Sequence, residues 1–452
     1  MGATASELAQ YKDEGPIITE KRISRMLSNI EDTNDIVVKQ IITKSGSGKG
    51  DGFVSDILDV VVTALVKGKD KDYNWMVKST PRDPNRWVLS RLRLQFDERE
   101  VKFFRDLLPR FRKFAADKNK ENLVPSFCPV PYTEWSEMDK ILVMQNLRTL
   151  GYRDPIDKKA GLDMDHVILA IKWLASFHAL GYAFIDQYKG GIEQMQVDDL
   201  RIFFWKFSDT PNMDINLKEM KEFFGFNNEN QLILMKEVDA LSGNNTSYYV
   251  DVHRKMLKKI QSLHGVDSLI DAACVTRDHL QFRIKTFTHG DPWFNNVMYK
   301  YDEETKSPID VKFIDLQTVA HASPALDLVY FIYSSTTKEI RNNLCDLLRI
   351  YHDEFITNVN QFGSLLSYTY EELNDDFYKA CFWGLNFAMN ALGKHLNSQE
   401  DMLDLDDLSN HIKGGNEISK ETKERNASKK NNTAYLWRVK HIVDEFVSLN
   451  LL

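Results

Sequence analysis

The chain has 452 residues, 43% of them hydrophobic and 11% aromatic, which is enough apolar mass to bury a large core and predicts two or three lobes or domains. Its formal net charge of −8 gives no overall attraction to nucleic acid or to an anionic membrane, so nucleic acid is not an expected partner. Cys128, Cys274, Cys345 and Cys381 lie far apart with no Cys-x-x-Cys spacing, which argues against a zinc site or a dense disulfide framework and predicts reduced core thiols.

The N-terminus lacks the apolar stretch of a signal peptide, and no apolar run approaches the roughly 20 residues that cross a bilayer, so a cytoplasmic protein is expected. Met1-Gly2-Ala3-Thr4-Ala5-Ser6 fits the short pattern for N-myristoylation at Gly2; an ordinary terminus is the plainer alternative. A single acyl chain gives only marginal membrane binding. Residues 36–80 read as β-rich, with strands over 36–42 and 57–66 flanking Gly46-Ser47-Gly48-Lys49-Gly50-Asp51-Gly52. Gly46, Gly48, Gly50 and Gly52 let the backbone approach a phosphate closely and point N–H groups at it, or else form a flexible hairpin connection. A P-loop reading fails, because Thr43 stands where the first glycine belongs and Gly50 where Ser or Thr would hold Mg²⁺.

After a charged turn over 67–72, a strand over 73–78 ends in Lys78, a cation leaving an otherwise apolar segment and able to reach phosphates. The following helix, 97–109, places Glu100 on one face with Phe103, Phe104 and Leu107, which turns it inward as a partner for Lys78. Glu98 is the competitor, and solvated helix charges are the plain alternative for both. Residues 141–147 read as a buried strand followed by polar residues. A long helix over 162–183 turns Val167, Ile168, Ile171, Leu174, Ala175, Phe177 and His178 inward, where His178 reads as a satisfied core histidine. Amphipathic, aromatic-rich helices alternate with polar turns over 190–285.

The strongest chemical signal follows. Val297–Tyr301 and residues 309–314 read as strands around a polar turn, a β-hairpin that brings Asn296, entering the first strand, beside Asp315, leaving the second. Both offer hard oxygen ligands suited to Mg²⁺. Asp291, five residues before Asn296, faces the same point and could accept a proton from an attacking hydroxyl or orient it. Taken singly these residues could be turn formers around Pro292 and a strand cap; taken together at this spacing they read as a phosphoryl-transfer site. His289 reads as a neutral support for the loop and Asp327 as an internal brace. From Asp327 on the chain reads as helices, interrupted by a polar surface loop over 413–432. Asn244-Asn245-Thr246 and Asn426-Ala427-Ser428 match glycosylation acceptors but carry little weight without a secretory signal.

The loop His289-Gly290-Asp291-Pro292-Trp293-Phe294-Asn295-Asn296, with Ile314-Asp315-Leu316-Gln317 and Ser323-Pro324-Ala325-Leu326-Asp327-Leu328, resembles the ecdysteroid kinase-like family, which groups with choline kinases and aminoglycoside phosphotransferases. The resemblance runs over about residues 40–400 and implies an α+β, two-lobed protein-kinase-like fold with a small β-rich N-lobe and a large mainly helical C-lobe. Its divisions would be an extension to residue 30, an N-lobe over 31–145 and a C-lobe over 146–452. It implies Asp291 as catalytic base and Asn296 and Asp315 as catalytic ligands for Mg²⁺ bridging the phosphates of ATP. It assigns the nucleotide to Gly46, Gly48, Gly50 and Gly52, to the pair Lys78 and Glu100, and to Met144, Gln145 and Leu147 of a hinge that bonds adenine through its backbone. Relatives usually have Leu-Glu-Asp-Leu at that hinge, whereas Gln145 and Asn146 replace both acids here, which puts any side-chain contact to ribose in doubt.

The expected partner is a small hydroxylated molecule: a steroid or other lipophilic alcohol, with a polar acceptor of the choline or aminoglycoside kind as the alternative. A non-catalytic nucleotide- or lipophile-binding protein is the rival class. A protein kinase is disfavoured because the loop lacks His-Arg-Asp, the metal segment lacks Asp-Phe-Gly and no Ala-Pro-Glu motif follows.

Overall fold

The computed structural model describes residues 17–46, 55–80, 96–135, 140–155, 160–206, 228–243, 247–266, 269–396 and 432–451. Gly2, Gly48, Gly50, Gly52, the polar loop expected over 413–432 and both glycosylation patterns therefore lie outside, or mostly outside, the described residues. The chain divides into two compact units: one takes its described residues from 17–105 and 128–152, the other from 106–127 and from 153 onward.

The first unit is built on a five-stranded sheet in the order β1-β2-β3-β5-β4. The strands are β1 (Ile36–Ser45), β2 (Asp56–Val66), β3 (Lys69–Ser79), β4 (Tyr132–Trp135) and β5 (Lys140–Gln145), and every neighbouring pair is antiparallel. The β-branched run of β2 buries Val60, Val62, Ala64 and Val66, the period-two pattern of a strand with one face in a core. Helix α1 (Glu20–Glu31) covers that face with Ile23, Met26 and Leu27. Its start is capped by the Thr19 hydroxyl, which accepts from Arg22 N–H.

The charged turn expected over 67–72 is shorter than the composition suggests. Lys67 (φ 50°) and Gly68 (φ 71°) form a two-residue connection, Val66 pairs with Lys69, and β3 therefore takes in Lys69 to Asp72. Positive φ at both central residues matches the twist of the flanking strands, and that match outweighs the low strand propensity of Lys and Asp. Helix α2 (Phe96–Lys102) completes the described part of this unit and carries Glu100.

The second unit is mainly helical, so the whole is α+β as expected. Its first helix, α3 (Leu108–Ala116), directly follows a π-helical turn (Phe103–Leu107), so Pro109, where the sequence suggested a helix would end, lies inside a helical run instead. Helix α4 (Met164–Asp186), capped by the Asp163 carboxylate accepting from His166 N–H, runs through the core. It is long and apolar enough to cross a bilayer, which corrects the expectation that no such run exists; 67% of its apolar window is buried inside the protein. The helices α5 (Asn228–Leu241), α6 (Tyr248–His264) and α7 (Leu269–His279) follow.

Strand β6 (Thr286–Thr288) leads into the loop at His289, the hairpin β7 (Val297–Tyr301) and β8 (Pro308–Phe313) follows it, and β9 (Ala320–Ala322) returns antiparallel to β6. Beyond them come α8 (Pro324–Ser335), α9 (Leu344–Gln361), α10 (Tyr370–Lys379), α11 (Cys381–Leu396) and α12 (Thr433–Ser448). Helix α9 packs on α4 and α11 on α8. Cys128 and Cys381 are buried free thiols, but Cys345 is exposed at the start of α9, so the expectation of four core thiols fails there.

Candidate active site

The loop between β6 and β7 is held at both ends by hydrogen bonds to backbone carbonyls. Thr288 Oγ1 donates to Ala320 O at 3.0 Å, Thr318 Oγ1 donates to His289 O at 2.8 Å, and Ile314 N–H donates to Asn296 O at 2.9 Å. Gly290 is required between them: its φ is +84°, and a Cβ there would lie 2.5 Å from Thr318 O.

Helix α8 supplies the second clamp. Ser323 and Pro324 start it in the pattern of an N-cap followed by an N-terminal proline, which puts Asp327 in the first turn, at the positive end of the helix dipole. The Asp327 carboxylate is 1% exposed and accepts three hydrogen bonds: from His289 N–H at 2.6 Å, Gly290 N–H at 2.9 Å and His178 Nε2–H at 3.0 Å. His178 Nδ1 in turn lies 2.8 Å from the Tyr351 hydroxyl. Both residues therefore do what their sequence reading proposed, one as a brace and the other as a core histidine.

His289 is wholly buried. Its Nε2 lies 3.0 Å from Ile314 O, which can only accept, so the proton sits on Nε2 and Nδ1 is left to accept Asp291 N–H at 3.3 Å. Burial pulls its pKa below the ordinary histidine value, even though Asp327, Asp291 and Asp315 all act in the opposite sense. The imidazole is a neutral strut amid three carboxylates.

The hairpin brings together what the sequence predicted it would. Val297 pairs with Phe313, and the Ile314–Asn296 hydrogen bond extends the ladder by one step, so that Asn296 and Asp315 lie at the same end. Asn296 Nδ2 donates to both Asp291 O and Asp291 Oδ2, each at 3.0 Å, which turns its amide oxygen away from Asp291. Asp315 has φ 64° and ψ 58°, a left-handed conformation uncommon outside glycine and often found at functional positions. Gln317 Nε2 donates to Asp315 Oδ2 at 3.1 Å, and the Tyr330 hydroxyl donates to Asp291 Oδ1 at 2.7 Å. Neither contact was anticipated. Tyr330 was legible only in that it lies one helical turn beyond Asp327, on the same face of α8.

In the first unit, Lys78 Nζ and Glu100 Oε2 are 2.7 Å apart, with side chains 10% and 2% exposed. Glu98 is half-buried. Gly46 donates its N–H to Ile57 O at 2.9 Å, and a Cβ there would lie 2.7 Å from Met76 Cε and 3.1 Å from Asp59 N. The first glycine of the run thus allows a close approach onto β2 and β3.

A family model described as the ecdysteroid kinase-like family matches residues 49–364, well over half of the 452-residue chain. The chain belongs to this family. The protein-kinase-like fold class expected from the sequence stands with that membership, and so does its class of activity, phosphotransfer to a hydroxyl acceptor. No curated protein matches the chain. Among solved structures, a GDP complex of wild-type aminoglycoside 2'-phosphotransferase-IIIa aligns at 13% identity and TM-score 0.39, covering 92% of this chain and 99% of that one. An aminoglycoside-3'-phosphotransferase of type VIII aligns at 13% identity and TM-score 0.27, covering 81% and 98%. Likeness at this level has no bearing on substrate.

The departure of this ecdysteroid kinase-like chain at the hinge has a structural counterpart. Asn146 Oδ1 accepts from Arg148 N–H at 3.1 Å to cap the next turn, and Asn146 Nδ2 donates to Asp59 Oδ1 at 3.4 Å. An aspartate at that position would set two carboxylates against each other. Gln145 N–H is engaged by Pro129 O at 2.9 Å, and its side chain reaches Thr149 Oγ1 at 3.3 Å. Met144 is half-buried and Leu147 is buried.

Proposed function

We propose that the chain transfers the γ-phosphoryl group of ATP, with Mg²⁺, to a hydroxyl of a steroid or another lipophilic alcohol. One observation carries this reading: Asp291, Asn296 and Asp315 converge at the end of one hairpin, through the 3.0 Å Asn296–Asp291 bonds and the 2.9 Å Ile314–Asn296 bond. The donor set suits the cation. Asn296 keeps its amide oxygen turned from Asp291, Asp315 adds a carboxylate, and both are hard oxygen ligands. No group of three or more His, Cys, Asp and Glu among the described residues could hold a metal, so the remaining ligands would be phosphate and water. Bound Mg²⁺ would neutralise charge on the phosphates and fix their orientation.

In this reading Asp291 receives the acceptor hydroxyl and orients it or takes its proton, while Asn296 and Asp315 hold the cation side of the site. The Lys78 ammonium, kept in place by Glu100, meets the α- and β-phosphates, and Gly46 with Gly48, Gly50 and Gly52 covers them. Met144, Gln145 and Leu147 lie along the adenine; the Gln145 N–H is engaged by Pro129, so its carbonyl is the backbone group it offers. The lipophilic acceptor rests on the family's description as ecdysteroid kinase-like. Supply of ATP suits a cytoplasmic location.

The test is incubation of the purified chain with MgATP and a panel of hydroxylated steroids, lipids and xenobiotics, with choline and an aminoglycoside as polar arms. ADP and the mass of any product are followed, and Asp291→Asn is the control. A phosphorylated steroid or lipid made by the wild type alone supports the proposal. Product only from the polar arms overturns the acceptor class. No product at all, with ligand binding unchanged in Asp291→Asn, would mark a non-catalytic binder.

A further inference from the structure

The carboxylate of Asp291 is held at both oxygens by side chains of the chain itself: Oδ2 by Asn296 and Oδ1 by Tyr330. The second contact comes from outside the loop. Tyr330 lies on α8 three residues beyond Asp327, so the two project from one face of the helix; Asp327 fixes the backbone of the loop and Tyr330 reaches its side chain. The phenol is 4% exposed, and its ring packs against Phe387 of α11 at 5.3 Å between centroids, which leaves it little freedom to turn away. Burial, with Asp291 acting in the same sense, raises the Tyr330 pKa well above that of an ordinary phenol, so the hydroxyl keeps its proton and donates it in the bond to the carboxylate.

We propose that Tyr330 is a positioning residue for phosphoryl transfer: it fixes the rotamer of Asp291 so that the carboxylate is presented ready-aligned to the acceptor hydroxyl. The inference rests on the role proposed above for Asp291 and adds to it a residue outside the loop. A free aspartate turns about two bonds, whereas one pinned at both oxygens has a single orientation, and reactive alignment is sensitive to small displacements. Because Asp291 then accepts from the substrate hydroxyl in a fixed orientation, Tyr330 acts on turnover and not on the binding of either substrate.

The experiment uses the full-length chain and compares wild type, Tyr330→Phe, Asp291→Asn and the double variant, with MgATP and the acceptor that turns over fastest in the panel. Tyr333→Phe, which removes another hydroxyl from the same helix, is the control for fold. Loss of a charge-assisted hydrogen bond of this kind should lower kcat about 10- to 100-fold in Tyr330→Phe. KM for ATP and acceptor, and the melting temperature relative to Tyr333→Phe, should hardly move. In the Asp291→Asn background the same change should have almost no further effect, since the positioned group is gone. The carboxylate stretch assigned to Asp291 by infrared difference against Asp291→Asn should shift in Tyr330→Phe. Unchanged kcat, a loss confined to KM, or an effect that persists undiminished in the double variant overturns the proposal while leaving the function standing. Absence of turnover by the wild type with every acceptor overturns the parent function, and this inference falls with it.

Discussion

Asp327 accepts three N–H hydrogen bonds on two buried oxygens. Removing it would leave His289 N–H, Gly290 N–H and His178 Nε2–H buried without an acceptor, so Asp327→Ala should destabilise the second unit by about 3 kcal/mol or more in denaturant titration. Asp327→Glu, whose longer chain cannot sit in the same place, should be nearly as damaging. A loss below about 1 kcal/mol would mean that water or a rearranged loop replaces the carboxylate. In the first unit, Lys78→Met removes a cation whose partner is 2% exposed. If the pair serves the nucleotide, kcat/KM for ATP should fall about 100-fold, and Glu100→Gln should reproduce part of that loss. At this scale Asp291, Asn296 and Asp315 were legible because their meeting is dictated by a hairpin of short sequence span. Tyr330 and the Asn146–Asp59 pair were not, since each depends on contacts 39 and 87 residues apart that only the folded chain creates.

Among elements, the loop from His289 to Asn296 shows why backbone and side chain have to agree. Gly290 sits at φ +84° with Thr318 O only 2.5 Å from where a Cβ would be. Gly290→Ala should therefore displace the β6–loop connection from the segment after Asp315, and phosphotransfer should be lost while the far-ultraviolet circular dichroism stays native. Retained activity would show that Thr318 can withdraw without cost to the site. The strands and the hairpin were readable because period-two patterning and turn chemistry are local. The boundaries that moved did so for equally local reasons that composition hides. Lys67 and Gly68 close a hairpin in two residues, and the helical run passes Pro109 just after a π-helical turn. What a single chain segment cannot reveal is which neighbours cover it: α4 has the length and composition to cross a bilayer, yet 67% of its apolar window is buried inside the protein.

For the whole molecule, buried histidines tie stability to pH, His253 and His321 among them. Burial holds His253 at a pKa of about 4, and burial with the nearby Lys285 charge holds His321 at about 4. Both are lowered from the ordinary value near 6.5, so between pH 6.5 and 4 the unfolded chain binds protons that the folded chain does not, and stability falls as pH drops through that window. Each group contributes a slope of at most about 1.4 kcal/mol per pH unit. The melting temperature should thus decline from pH 7 to pH 5, and His253→Leu should flatten the decline; an identical slope in the variant would mean that other groups set it. The α+β class and the family were legible because they rest on motifs and on the alternation of short strands with long helices. The acceptor was not, because its recognition depends on the shape of a helical wall built from residues far apart in sequence.

The central claim is that Asp291, Asn296 and Asp315 make one phosphoryl-transfer site, and the most direct test is single-turnover transfer from γ-labelled ATP in the presence of Mg²⁺ and the hydroxylated acceptor panel. The account predicts a labelled acceptor from the wild-type chain, and loss of that label in Asp291→Asn, Asn296→Ala and Asp315→Asn with ATP still bound by Asp291→Asn. Labelled product that persists in all three variants, or none from the wild type, would contradict it.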